Sequence, residues 1–168
     1  AGVPARFAFG HGLSYTSFEW SDVAVSGDGT DWMVTLTVTN TGDRAGRHVV
    51  QVYVHDRTSS VPRPDKELKG FAKVHLDPGA SEQVTIALGR RAFAVWVVPA
   101  QDWVIEPGTF DLLVARSAAD VEATLAIEVE STDVVAPVPA PAGMVATDDE
   151  FRALLGRPIP VVAPARPF

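Results

Sequence analysis

Trp32-Met33-Val34-Thr35-Leu36-Thr37-Val38-Thr39-Asn40 changes side with every residue. Trp32, Val34, Leu36 and Val38 project one way, and Met33, Thr35, Thr37 and Thr39 project the other. Successive side chains on a strand point to opposite faces, so this stretch makes a β-strand with one buried face and one wet face. Three β-branched threonines suit the wet face. Asn40-Thr41-Gly42-Asp43 then reads as a turn or loop that ends the strand.

The same alternation recurs on both sides of this stretch. Upstream, Phe18 and Trp20, then Val23 and Val25, make a first strand with a slip of phase between the two pairs, and Ser26-Gly27-Asp28-Gly29 turns the chain. Downstream, Val50, Val52 and Val54 oppose Gln51, Tyr53 and His55. A polar connection from Asp56 to about Lys66 holds Pro62 and Pro64. Leu68 to Leu76 alternates again, and Asp77-Pro78-Gly79 is a turn in which Pro presets φ and Gly is free to take φ > 0. Val84, Ile86 and Leu88 follow, then the turn Glu106-Pro107-Gly108, then Phe110, Leu112 and Val114. Val121, Ala123, Leu125, Ile127 and Val129 close the series. About seven short strands with turn clusters between them, and no long helical period, predict an all-β, antiparallel sandwich of immunoglobulin-like type. A closed barrel is the alternative architecture with the same pattern.

The flanks differ from this centre. Residues 1–16 are irregular and rich in glycine and aromatics. Beyond Ser131 come Pro137, Pro139 and Pro141, an extended linker. Thr147-Asp148-Asp149-Glu150 then fits a capping box ahead of Phe151, Leu154 and Leu155, with Gly156 and Pro158 as stops. The expected organisation is a lead-in or interdomain linker over residues 1–16, a sandwich over 17–131, and a Pro-rich tail over 132–168 with a short helix at about 148–155. So short a helix does not hold by itself and needs a surface to dock on.

The 168 residues carry 14 Lys and Arg against 21 Asp and Glu, a net charge of −7. That balance argues against nucleic acid, whose phosphates call for basic clusters, and against an anionic membrane surface. There is no cysteine, which removes disulfides, thiolate catalysis and zinc–thiolate sites. No run approaches the ~20 apolar residues of a membrane helix. Ala1-Gly2-Val3-Pro4 does not read as a signal peptide, and the chain is expected to be cut from something longer. The compartment stays open between cytoplasmic and secreted, in soluble form.

Motifs for chemistry are weak. Gly12-Leu13-Ser14-Tyr15-Thr16 nearly mimics a hydrolase nucleophile elbow, but Thr16 stands where a second glycine is needed, and the segment reads as a tight turn. His11, His48, His55 and His75 show no metal-ligand spacing and read as exposed or edge histidines. Gly10-His11-Gly12 is too short for a phosphate loop. Asp65 and Glu67 make a carboxylate pair of the kind glycoside hydrolysis uses. On a polar loop they lack an apolar pocket to raise one pKa, so they read as solvated charges beside Arg63 and Lys66. Among Trp20, Trp32, Trp96 and Trp103, Trp32 falls in the buried register, while Trp96 and Trp103 flank a loop where they serve either packing or ligand stacking.

Three stretches together resemble one family. Phe7-Ala8-Phe9-Gly10-His11-Gly12-Leu13-Ser14-Tyr15-Thr16-Ser17-Phe18 is similar to the "FPFGxGLSYTxF" segment of family 3 glycoside hydrolases of the β-glucosidase type. Lys66-Glu67-Leu68-Lys69-Gly70-Phe71-Ala72-Lys73-Val74, followed by Leu76-Asp77-Pro78-Gly79, resembles their "KELKGFxKVxLxPG". Arg91-Ala92-Phe93-Ala94-Val95-Trp96, then Trp103 and Glu106-Pro107-Gly108-Thr109-Phe110, resembles the last third of their C-terminal fibronectin III-like domain. The match runs from about residue 7 to 130. Val97 and Ala115 depart from it, standing where an acidic residue and a glycine are frequent.

The resemblance implies a non-catalytic C-terminal domain. Its partners would be the upstream TIM-barrel and α/β-sandwich domains of the same enzyme, or a complementary fragment carrying them. Those domains would hold the Asp nucleophile and Glu acid/base of a retaining mechanism. An oligosaccharide or β-glucoside substrate would be met only through the whole enzyme. No catalytic, cofactor-binding or metal residue is carried onto this chain, and no nucleic acid or membrane is expected as partner. The candidate interdomain or active-site-rim residues are Phe9, His11, Tyr15, Arg57, Arg63, Lys66, Trp96 and Trp103. The lead-in is expected to pack Phe7, Phe9, Tyr15 and Phe18 around its glycines. The competing reading is a free-standing carbohydrate-binding or protein-interaction module, with a cell-surface spacer as a third.

Overall fold

The computed structural model describes residues 5–61, 63–133, 149 and 152. The strands are β1 (Phe18–Asp28), β2 (Asp31–Asn40), β3 (Gly46–Asp56), β4 (Glu67–Leu76), β5 (Ser81–Leu88), β6 (Val95–Val97), β7 (Asp102–Val104), β8 (Gly108–Ser117) and β9 (Asp120–Val129). Two antiparallel sheets face each other, one ordered β1-β2-β5 and the other β4-β3-β8-β9. These seven strands are the expected sandwich. The other two, β6 and β7, pair only with each other. At three residues each they are too short for alternation to reveal them.

The chain divides into compact units Ala1–Pro137 and Val138–Phe168, and all nine strands belong to the first. The helix expected at about 148–155 falls largely outside the described residues. Of it, Asp149 and Arg152 are helical, with Arg152 Nη1 donating to Asp149 Oδ1 at 3.2 Å.

The alternation of β2 drives the packing. Val34, Leu36 and Val38 are fully buried, and β5 sets Ile86 and Val84 beside Val34 and Leu36. Val50, Val52 and Val54 of β3 and Phe110, Leu112 and Val114 of β8 complete the same core. Burial on this scale is the dominant favourable contribution to folding. Gly70 of β4 marks a close approach between the sheets, since a Cβ there would lie 2.5 Å from Ile86 Cγ2 of β5. The phase slip in β1 is a bulge between Ser21 and Ala24, with Asp22 at φ +55°.

Two features depart from a simple inside–outside pattern. First, the outer face of β3 is dry at Gln51 and Tyr53, because residues 5–17 cross it there as a strap. Tyr53 Oη donates its one proton to Gln51 Oε1 at 2.6 Å and lies 3.4 Å from Phe9 O. Gln51 Nε2 donates to Gly10 O at 3.0 Å and to Arg116 O at 2.6 Å. Ala118 N also donates to Phe9 O, at 2.9 Å. Gly10 is required twice over: its φ is +78°, and a Cβ would collide with the Gln51 amide.

Second, Asn40, where the strand gives way to the loop, is fully buried as the last residue of β2. Its Oδ1 accepts from Thr16 Oγ1 at 2.7 Å and from Gly42 N at 3.1 Å. Its Nδ2 donates to Arg44 O at 2.7 Å and to Leu76 O at 2.9 Å. The backbone adds Asn40 N to Ala80 O and Gly79 N to Asn40 O, both 2.9 Å. One residue thus joins the strap, the β2–β3 loop and the β4–β5 turn.

Asn40→Ala is expected to lose roughly 3 kcal/mol in urea unfolding, because several buried groups lose their partner at once. Asn40→Asp is expected to be no better. Its second oxygen would face the Arg44 and Leu76 carbonyls, so near-wild-type stability in that variant would contradict the assigned network.

Candidate interdomain surface

The strap has its backbone bound and most of its large side chains free. The expectation that Phe7, Phe9, Tyr15 and Phe18 pack together is corrected: only Phe18 enters the core. Phe7 and Phe9 are each 68% exposed, Leu13 93% and Tyr15 96%. The strap backbone is spent on Gln51, Tyr53 and Ala118, which leaves these side chains facing outward. His11 is exposed, with its ring 5.4 Å from that of Phe7. Phe71 of β4, also 68% exposed, lies beyond the strap on the same sheet face as Gln51, its register partner. Phe9, Leu13, Leu68 and Phe71 line one open groove together with Gln51 and Arg116. Exposed apolar patches of this kind mark interaction surfaces.

The long connection between β3 and β4 is held by clamps that sequence reading missed. Arg57 grips Asp111 with two bonds, Nε to Oδ2 at 2.8 Å and Nη2 to Oδ1 at 2.6 Å. The hydrogen bond from Arg57 holds the Asp111 carboxyl below the usual carboxylate range. Glu106, from the turn before β8, accepts from Ser59 Oγ at 3.1 Å, from Ser60 N at 3.0 Å and from Ser60 Oγ. Lys66 Nζ reaches Ala118 O at 3.0 Å.

Arg63 is a further clamp, and through it the expectation of a solvated charge is corrected for Glu67. Its side chain is only 5% exposed, and that of its partner Asp56 3%. Nη1 meets Asp56 Oδ2 at 3.2 Å and Phe93 O at 3.1 Å; Nη2 meets Glu67 Oε1 at 2.9 Å. Burial pushes the Glu67 carboxyl up, but bonds and charges from Lys69 and Arg63 outweigh it and leave the pKa lowered. Glu67 is therefore tied into the domain, while Asp65 is solvated as expected, its side chain 81% exposed. A polar run with two prolines gives no sign that its arginine turns inward.

Trp96 and Trp103 sit opposite each other on the β6–β7 ribbon, ring centroids 5.6 Å apart. Trp103 packs on the core and carries the Arg91 guanidinium 3.4 Å from its ring centre. Trp96 stays 42% exposed. His48 is not the exposed or edge histidine expected; it is part-buried, stacked on Phe18 at 4.7 Å. Among the described residues there is no group of three or more His, Cys, Asp or Glu able to hold a metal ion.

Arg63→Ala strands the buried Asp56 carboxylate and leaves Glu67 with Lys69 alone, and is expected to lose about 3–5 kcal/mol of stability in the isolated chain. Arg57→Ala, at a pair whose arginine is half-exposed although Asp111 is buried, is expected to lose less in the same denaturant titration, because water can reach the site that the guanidinium leaves. Equal losses would contradict the burial difference between the two clamps.

A fibronectin type III-like domain is matched at residues 48–118. Thermostable β-glucosidase B of Acetivibrio thermocellus is 46% identical over 135 residues, which cover 78% of this chain and 18% of that protein. The exo-α-(1→6)-L-arabinopyranosidase of Bifidobacterium breve is 43% identical over 131 residues, covering 77% of this chain and 17% of that one. Among solved structures, β-glucosidase 3B of Thermotoga neapolitana superimposes with a TM-score of 0.72 at 37% identity, over 77% of this chain and 18% of its own. The chain spans less than a fifth of the length of these relatives. The sandwich, its 3 + 4 strand order and these likenesses agree: the chain is a fibronectin type III-like domain of the kind that family 3 β-glucosidases carry.

Proposed function

We propose that this domain works as the non-catalytic C-terminal part of a family 3 glycoside hydrolase that cleaves terminal β-glycosidic bonds. In this reading it buttresses upstream TIM-barrel and α/β-sandwich domains, which hold the catalytic carboxylates and meet the β-glucoside or oligosaccharide. The observation that carries the reading is the strap. Phe7, Phe9, Leu13 and Tyr15 stay exposed on a backbone fixed by Gln51, Tyr53 and Ala118. Large apolar side chains on a fixed backbone are prepared for a partner, because little ordering remains to be done when it docks. The residue 57–66 connection plays the second part. Clamped at Asp111, Glu106 and Asp56, it is a preformed element that offers Arg57 to a neighbouring rim. Arg63 serves it from inside. Neither nucleic acid nor membrane has a part in this reading.

The free-standing module is favoured by one observation, the exposed ring of Trp96 beside Trp103. The two readings separate on sugar binding. The isolated chain is expected to show no heat of binding with β-glucosides or β-linked oligosaccharides, whereas a self-sufficient module would bind them through Trp96 and lose binding in Trp96→Ala.

Phe9→Ser combined with Tyr15→Ser tests the buttress. The isolated chain is expected to keep its stability within about 0.5 kcal/mol, as exposed substitutions do. The same pair in the complete enzyme is expected to lower its melting temperature. An unchanged complete enzyme would remove the docking role from the strap.

A further inference from the structure

His48 occupies a position whose chemistry depends on its being neutral. Nε2 accepts the indole N–H of Trp20 at 3.1 Å, joining β3 of one sheet to β1 of the other. The ring stacks on Phe18 at 4.7 Å and 26°, and meets Trp20 edge-on at 5.4 Å. An imidazole that accepts at Nε2 carries its proton on Nδ1. Protonation would put an N–H on Nε2, directly opposite the indole N–H, and the bond would be lost.

Among the described residues no carboxylate pairs with the ring. From β1 come Phe18 and Trp20, with Glu19 alternating to the other side. From β4 comes Val74, the register partner of His48. From β8 comes Arg116, a cation, whose guanidinium lies 5.5 Å from the Trp20 ring centre. From β9 comes Glu122, already paired with Arg116 at 3.0 Å. On β3 itself Arg47 alternates away; it and Asp120, at the start of β9, line the groove beside the ring. Burial first, then the charge of Arg116, lowers the histidine from 6.5 to about 4.

The position matters because of what adjoins it. Phe18 directly follows the strap, and Arg116 Nη2 donates to Phe18 O at 3.3 Å. Loosening the His48–Trp20 bond therefore loosens the place where the strap enters β1. We propose that His48 is a pH-sensitive latch, which when neutral pins the start of β1, where the strap enters it, across to the other sheet and when protonated loosens that junction. This rests on the geometry around His48 and holds whether or not the strap docks on a catalytic domain.

A base whose folded-state pKa is depressed adds nothing above its unfolded value. Between pH 6.5 and about 4 the open state binds a proton that the latched state does not, so latching weakens as pH falls through this window. Hydrogen exchange of the Trp20 indole N–H, corrected for intrinsic rate, reads the opening directly in the full 168-residue chain. The opening constant is expected to rise by up to about tenfold per pH unit across the window. In His48→Gln, whose amide oxygen still accepts the indole N–H and does not titrate there, the rise is expected to vanish. The ring nitrogens of His48, followed by NMR in the unmodified chain, give an independent readout that does not depend on the variant folding. A titration near 6.5, or an equal rise in His48→Gln, would overturn the proposal.

Discussion

A side-chain amide buried in a sandwich must satisfy two donors and two acceptor positions, and Asn40 satisfies all four within the domain. The four bonds go to three parts of the chain: Thr16 of the strap, Gly42 and Arg44 of the β2–β3 loop, and Leu76 at the end of β4. Three irregular segments that hydrophobic burial cannot position are thereby fixed at one end of the sandwich. An apolar residue would leave four polar groups dry, and a carboxylate would oppose two carbonyls. The core makes the sheets face each other, but Asn40 fixes where the strap ends and β1 begins.

The strap in turn changes the character of the sheet it crosses. Gln51 and Tyr53 are polar residues on the outward register of β3, yet both are buried under the strap, with Gln51 donating to Gly10 O and Tyr53 donating to Gln51. The strap's own apolar side chains are left over, and the outer face of the four-stranded sheet is apolar for that reason. At the end of β3 where the long connection begins, ionic clamps do comparable work. Arg57, Arg63 and Glu106 give that connection a shape that its sequence does not suggest. Both candidate surfaces are therefore stiff before anything binds, which suits a buttress and a rim more than a hinge.

Most of the fold was legible because alternation reports burial directly. The Trp32–Asn40 stretch, the slip within β1 and the valines of β3 each appeared in the structure as their spacing implied. What failed to show was whatever depends on pairing across distance. Arg63 reads as a loop charge until Asp56, Glu67 and Phe93 are brought around it. Asn40 reads as a turn residue because asparagine is common in turns, and its burial follows only from partners up to 36 residues away. The strap reads as packed because aromatics beside glycines suggest packing, but its backbone is used for docking and its side chains are left exposed. β6 and β7 were hidden by length alone.

The central claim is that this domain serves a larger glycosidase and is not an independent module. The denatured mass of the natural gene product containing this chain tests it most directly. The account predicts a mass several times 17.9 kDa, in keeping with relatives of which the chain spans less than a fifth. A mass near 17.9 kDa would contradict it.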